Sequence, residues 1–465
     1  MGRQARSWGP VRRTPARVPV VALAFICVLM PALSAHAQDE ITPVLTLEQA
    51  MRLAIERNPS IASAEASAAA ARASLEGARA RRLPILTFDA DARVSEGLAR
   101  RVNVDGAIID SGGGRSETSD VQLTLTHTFY ESGREESIRE SQARTRASEL
   151  GIADAQRSLL ASVASTFFGV LADQEFAEVA DDAVAAARMH LDLVNARIEA
   201  GAVAPADRLT VEAELADAQF EAVRTVNTVW TTLSELRSLL ALPPDTLPLI
   251  RGELNGEFEL SDLQGWIAEA IEARPDLQAQ RFRVRASELA LKQAQIDAGL
   301  TVNVQGSADY GRHADVTGDT WGVTGGLSFP IFNKQAGAAV DAARANLQGT
   351  RVALAEQELN VTRQVSSAWY VLSDATGRVS AAEVSVTASE ASMNAARERY
   401  AAGVATIIEV TDAELSLRRA RANLVQALYD RNVAWYQLLS ASGRPLLPEA
   451  EGTPNELDAG TVGDE

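Results

Sequence analysis

The chain is poor in residues that staple, ligate or react. Of its 465 residues one is cysteine, Cys27, and four are histidine. A single cysteine cannot close an internal disulfide, and it excludes a cysteine-based metal centre. His127, His190 and His313, the histidines outside the N-terminal leader described below, are far apart, so no metal-ligand spacing is present. The run Ser111-Gly112-Gly113-Gly114 is followed by Arg115, not by the lysine of a phosphate-binding loop, and reads as a flexible connection. No nucleophile, base and orienting group form a set, so the sequence predicts no enzyme, no cofactor and no resident metal. Positive charge is short as well. The net charge of −18 argues against a nucleic-acid partner, which needs clustered Lys and Arg. Past the leader no apolar run approaches a membrane-spanning helix, so any membrane crossing must use β-strands closed into a barrel.

Alanine is abundant, while aromatics are only 5% of the chain. Alanine-rich stretches with regular apolar spacing predict long packed helices rather than an ordinary globular core. Residues 1–37 read as a secretory signal peptide. Arg3, Arg6, Arg12, Arg13 and Arg17 make a basic start, Val18 to Met30 is apolar, and Ala35-His36-Ala37 supplies an A-x-A cleavage site. The apolar run is too short for a membrane anchor. Phe25 and Ile26 before Cys27 match a lipoprotein site poorly, so no lipid anchor is expected. The surroundings of Arg12-Arg13 fit twin-arginine export poorly. Removing the leader takes five arginines and no acid, leaving a net charge of −23.

The strongest feature is an internal duplication. Residues 46–94 match 262–310 at a constant offset of 216: Leu47 falls on Leu263, Ala54 on Ala270, Pro59 on Pro275 and Leu75 on Leu291. Later parts match at an offset of 202: Leu125 falls on Leu327, Arg197 on Arg399, Gly201 on Gly403 and Glu212 on Glu414. The change of offset predicts a longer Gly-, Ser- and Asp-rich loop in the first copy, within 95–120. The expected organisation is a first repeat over 38–242, a linker over 243–261 beginning at Pro243-Pro244, a second repeat over 262–442, and an acidic disordered tail over 443–465. In the first repeat the expected helices are 46–57, 60–82, 134–200 and 205–241, with strands at 85–94 and 121–130. In the second they are 262–273, 276–298, 335–402 and 406–441, with strands at 301–310 and 321–331.

The four strands alternate with period two. Leu86, Phe88, Ala90, Ala92 and Val94 oppose Thr87, Asp89, Asp91 and Arg93, and Trp321, Val323, Leu327 and Phe329 oppose Gly322, Thr324, Gly326 and Ser328. An ordinary half-buried sheet shows the same alternation. About ten residues is also the length of a tilted membrane strand, and Tyr310 and Trp321 sit where an aromatic belt would lie. Four strands cannot close a barrel, so strands that span a membrane would be shared between chains, twelve of them for three copies. The long helices carry a heptad with a four-residue jump. Val340, Leu347, Leu354 and Val361 are followed by Val365, Leu372, Val379, Val386, Met393 and Tyr400. Ile138, Thr145, Ile152 and Leu159, then Val163, Val170, Ala177, Val184, Leu191 and Ile198, do the same. Such a helix, roughly 100 Å long, suits a tube across a compartment.

Leu45-Thr46-Leu47-Glu48-Gln49-Ala50 with Asn58-Pro59, the duplication, and the turns Arg197-x3-Gly201-x5-Asp207 and Arg399-Tyr400-x2-Gly403-x5-Glu409-Val410-x-Asp412-Ala413 together resemble the TolC, or outer membrane efflux protein, family over nearly the whole mature chain. The resemblance implies a mixed α and membrane-β fold: a homotrimer with a 12-stranded β-barrel in outer-membrane lipid, a 12-helix α-barrel reaching into the periplasm, and a mixed equatorial belt. It implies a passive duct of a tripartite efflux pump or type I secretion system, opened at its periplasmic tip by an adaptor (membrane fusion protein) and an inner-membrane pump. The tip turns for adaptor contact would be Gly201, Ala202, Val203, Gly403, Val404 and Ala405. Glu409 and Asp412 would ring the aperture; from spacing alone they read as a solvated acidic helix start. The family's Tyr, Asp and Arg latch maps onto Tyr400, Asp207 and, at the Arg position, Ala405. A gate network here would therefore draw on Arg208 or Arg399, and Tyr400 is also a packing position of the heptad. The alternative to the channel is a periplasmic coiled-coil scaffold or adaptor without a barrel.

Overall fold

The computed structural model describes residues 44–447 apart from 98–99, 105–106, 112–113, 202, 257, 297–298 and 314–315. The expected leader lies outside them. The chain enters through β1 (Val44–Leu45) and α1 (Leu47–Arg57), whose start is a capping box: the Thr46 side chain accepts from the Gln49 amide, and the Gln49 side chain accepts from the Thr46 amide. Asn58 ends α1 and caps α2 (Pro59–Ala80), with Pro59 in the first turn, where its missing N–H costs nothing. There follow β2 (Ile85–Gly97), β3 (Arg100–Val104), β4 (Ala107–Ser111) and β5 (Gly114–Glu131), then α3 (Arg134–Glu199) and α4 (Ala206–Leu239). The second half runs β6 (Leu249–Ile250), α5 (Leu263–Ala273), α6 (Pro275–Ile296), β7 (Thr301–His313), β8 (Val316–Ser328), α7 (Lys334–Ala401) and α8 (Ile407–Ser442).

Three expectations are corrected. The segment 95–120 is not one loop. β2 and β5 extend through most of it, paired from Ile85–Thr126 to Gly97–Gly114, and β3 and β4 form a hairpin of their own. Its glycines suggested a loop, whereas the β-branched Val102, Val104, Ile108 and Ile109 favour strand. The fourth strand begins at Val316 and ends at Ser328 rather than running 321–331, because Pro330 cannot donate to a ladder. The linker and tail are also partly structural. β6 pairs in parallel with β1, Leu254 is buried, and Leu446, inside the expected tail, packs into the same core.

The four long strands form one antiparallel sheet in the order β2-β5-β7-β8, with β2 and β8 at its edges. The register brings the apolar residues of all four onto one face. Phe88, Leu123, Ala308 and Trp321 lie in one cross-strand row, and Leu86, Leu125, Gly306 and Val323 in another. The opposite face carries the rows Thr87, Thr124, Ser307, Gly322 and Asp89, Gln122, Asp309, Thr320.

The helices form a layer that changes partners along its length. Near the sheet α3 packs on α2 and α6, and α6 on α7; towards the far end α3 packs on α4 and α8, and α8 on α7. The jump in the heptad marks the changeover. Leu159 and Val163 are both buried in a core with Ala50, Met51 and Ala54 of α1. Val361 and Val365 are both buried in a second core with Trp266 and Ala270 of α5. Residues four apart share a helix face, so the jump widens the buried stripe where each short helix docks.

Both short helices are latched to the end of a long one by the same contact. Asn58 Nδ2 donates to the Leu239 carbonyl at 2.7 Å, and Arg274, its repeat equivalent, donates to the Ala441 carbonyl at 3.1 Å. Arg274 is 2% exposed and is neutralised by Asp276 at 2.6 Å. Burial alone would raise the Asp276 pKa, but the hydrogen bond and charge of Arg274 outweigh it and hold it below the usual carboxylate value.

Candidate functional site

Two features of this fold point outward from the chain: the apolar face of the sheet and the turns at the far end of the helices. On the sheet, Leu86, Phe88, Leu123, Leu125, Val323 and Leu327 are all exposed. Tyr310 and Trp321 stand at the hairpin end of that face, Trp321 with 81% of its surface exposed. A second set of exposed aromatics, of which the strand reading named only Phe329, stands at the helix end: Phe129, Tyr130, Phe329 and Phe332, with Ile331 95% exposed. The sequence signal was the cluster Phe329-Pro330-Ile331-Phe332, where apolar residues continue past the end of a strand.

At the far end, each hairpin of helices turns through a left-handed glycine, Gly201 at φ +69° and Gly403 at φ +78°, a region where a Cβ is strained. The second turn is a Schellman motif. The Gly403 amide donates to the Tyr400 carbonyl and the Val404 amide to the Arg399 carbonyl, both at 3.0 Å. Thr406 caps α8 by accepting from the Glu409 amide. Val404 is exposed at the apex, Val203 and Ala405 are half-buried, and Ala202 lies outside the described residues.

The expected gate residues do not form one network within the chain. Arg399 Nε reaches Glu409 Oε1 at 3.3 Å, whereas Arg208 pairs along its own helix with Glu212 at 3.1 Å. Among the described residues none forms an ion pair or hydrogen bond with the Asp207 carboxylate. Tyr400 is buried with Val194, Val211, Met393, Ile407 and Val410, and its hydroxyl has no partner. The residue that grips Tyr400 is Arg197, whose guanidinium lies 4.0 Å above the ring and donates to the Tyr400 carbonyl at 2.7 Å. Arg197 is the repeat equivalent of Arg399, so one arginine holds the second turn and its counterpart pairs with Glu409. Asp412 is exposed one turn beyond Glu409.

Two residues beyond Asp412, on the buried side of α8, Glu414 belongs to a cluster that sequence spacing could not reveal. His190 of α3, Glu214 of α4 and Glu414 of α8 each place a ligating atom within 4.8 Å of the others. His190 is 5% exposed, and among the described residues neither of its ring nitrogens, nor Oε2 of Glu414, takes part in a hydrogen bond. Burial first, and the charge of Glu214 second, push the Glu414 carboxyl up to about 7, against the pull of Arg397 and Arg418. Burial also raises Glu214, opposed by the Thr411 hydroxyl that donates to it, and lowers His190. The 3.3 Å contact between His190 Nε2 and Glu414 Oε2 is therefore poorly charged near neutrality, since burial disfavours the ionised form of each partner.

The model of the outer membrane efflux protein family matches residues 50–242 and 266–444, both halves of the duplication. The chain is 26% identical over 402 residues to a pyoverdine export outer membrane protein, OpmQ of Pseudomonas putida, covering 84% of this chain and 85% of that one. It is 21% identical over 431 residues to the outer membrane protein TolC of Escherichia coli, covering 89% and 85%. Among solved structures, CusC superposes with a TM-score of 0.74 at 16% identity, covering 86% of this chain and 92% of that one. The open state of the Neisseria gonorrhoeae outer membrane channel MtrE superposes at 0.72 with 21% identity, covering 86% and 89%. These structures share the fold, and the family's members are channels rather than enzymes. The chain belongs to the outer membrane efflux protein family and is an outer-membrane channel for efflux or secretion.

Proposed function

We propose that three copies of this chain close a shared 12-stranded barrel in the outer membrane, continued by a 12-helix tube in the periplasm, and that this assembly is a passive duct opened at its tip by an adaptor and an inner-membrane pump. The observation that carries the proposal is the sheet. Each of β2 and β8 pairs with one neighbour, leaving the other side of a 13-residue strand open, and the four strands share one exposed apolar face. Unpaired backbone groups are costly in lipid, so such a sheet can sit there only when copies join edge to edge. A scaffold without a barrel would leave this face in water. The two aromatic groups bracket it as the girdles of a membrane barrel do.

The helical layer supports the same closure. Its outer members present exposed apolar residues: Phe220, Val223 and Trp230 on α4, and Leu359, Tyr370 and Val384 on α7. Tyr310 and Trp321 serve as the outer belt, and Gly201, Val203, Gly403, Val404 and Ala405 as adaptor-contact turns. Glu409 and Asp412, three residues apart on one helix face, put six carboxylates around the axis of a trimer, a ring that favours cations. The test is the native mass of the detergent-extracted protein. A species of three chains is expected, and a stable monomer would overturn the shared barrel.

A further inference from the structure

We propose that His190, Glu214 and Glu414 form a binding site for a divalent transition-metal ion of the zinc class, one per chain, which ties α8 to α3 and α4. The three residues come from three helices, and a ligand held by all of them fixes those helices to one another. The chemistry of the set is that of a metal site: two carboxylates and a neutral imidazole carry two negative charges, matching a divalent ion, and mixed nitrogen and oxygen donors suit zinc and its neighbours rather than calcium or magnesium.

The spacing is close to what such an ion needs. Ligand atoms at ~2.1 Å in a tetrahedron lie about 3.4 Å apart. Nε2 of His190 and Oε2 of Glu414 are 3.3 Å apart, and no separation within the set exceeds 4.8 Å. The second observation is the state of the imidazole. A histidine this deeply buried, with neither nitrogen in a hydrogen bond and Nε2 facing only the Glu414 carboxyl at 3.3 Å, loses hydrogen bonds it would make to water, and a metal at Nε2 restores one such interaction. The Thr411 hydroxyl, donating to Glu214 Oε2 at 3.3 Å, supplies the outer contact that orients a ligating carboxylate. A groove of about 260 Å³ lined by Met393, Arg397, Glu414 and Arg418 reaches the cluster from its Glu414 side. Two cations oppose the ion. Arg397 of α7 approaches Glu414 only to 3.9 Å and is half exposed, free to swing into solvent. Arg418 lies on α8 itself and makes no ion pair with Glu414 among the described residues. The acidic pair Glu409 and Asp412 is separate from this cluster and acts as an internal control.

The experiment is zinc titration by calorimetry of the full chain, purified in mild detergent and stripped with chelator. The wild type is expected to show one saturable site per chain. His190→Gln and Glu414→Gln are expected to weaken it by at least tenfold, while Glu409→Gln with Asp412→Asn leaves it intact. X-ray absorption at the zinc edge of the wild type is expected to show one imidazole nitrogen among oxygen ligands. The proposal is overturned by a wild type with no such site, by a site that survives both single variants, by one that vanishes only with the Glu409 and Asp412 pair, or by a zinc edge without imidazole.

Discussion

At the scale of single residues, Glu414 offers the clearest measurement. Its carboxyl is held neutral up to about 7, against an ordinary value near 4.5. The folded state therefore keeps a proton that the unfolded chain has lost. The stability this provides is fully present below about 4.5 and disappears as pH rises through about 7. Glu414→Gln, a neutral isostere, removes the dependence. In chelator-treated protein the variant is expected to melt above the wild type at pH 8 and to converge with it at pH 5, with a difference on the order of 2–4 kcal/mol. Lowered His190 works the other way, costing stability as pH falls below its ordinary value, so combining His190→Gln with Glu414→Gln separates the two. Equal melting of wild type and Glu414→Gln at pH 8 would show that the carboxylate is solvated there.

Arg274 shows how elements depend on one another. It joins the α5–α6 junction to the end of α8 through the Ala441 carbonyl and to α7 through Gln364 at 2.7 Å. Arg274→Ala leaves the partly buried Asp276 carboxylate to Gln357 and the Leu277 amide alone, and a loss of ~1–3 kcal/mol is expected from denaturant or thermal unfolding. Asn58→Ala, at the equivalent but more exposed contact, is expected to cost only about 1 kcal/mol. These elements also show what a sequence can disclose. The long helices, their heptads and their glycine turns were legible because each is a periodic or local signal: Tyr400 and Val361 are buried where the seven-residue spacing put them. β1 and β6, two residues each, carry no period and exist only through each other. The Arg197–Tyr400 contact and the His190 cluster were hidden for a related reason, since they join residues brought together by packing between helices. The gate around Asp207 rested on correspondence with relatives, and within one chain the arginine in contact with Tyr400 is Arg197.

For the whole molecule the decisive question is what surrounds the sheet. Leu123 lies in the middle of the apolar face, between Phe88 and Ala308. If lipid surrounds it, Leu123→Lys is expected to cost ~2–4 kcal/mol of barrel stability, read as a lower temperature for dissociation of the detergent-stable oligomer. Unchanged dissociation would mean a face that meets water. The aperture is tested separately, by single-channel recording. Glu409→Gln with Asp412→Asn is expected to raise anion permeability relative to cation permeability while leaving the oligomer intact, and unchanged selectivity would place the ring elsewhere.

The polar rows of the sheet have a consequence for how the duct resists flow. Thr87, Thr124, Ser307 and Gly322 face away from the apolar side, and the next row, Asp89, Gln122, Asp309 and Thr320, carries nothing longer than a glutamine. Side chains this small leave the lumen of a 12-stranded cylinder unfilled. The barrel and the helical tip then behave as two resistors in series, and a wide resistor contributes little to the sum. Measured conductance is consequently a reading of the tip, and sieving by size is settled some 100 Å from the membrane, at the turns where the helices end.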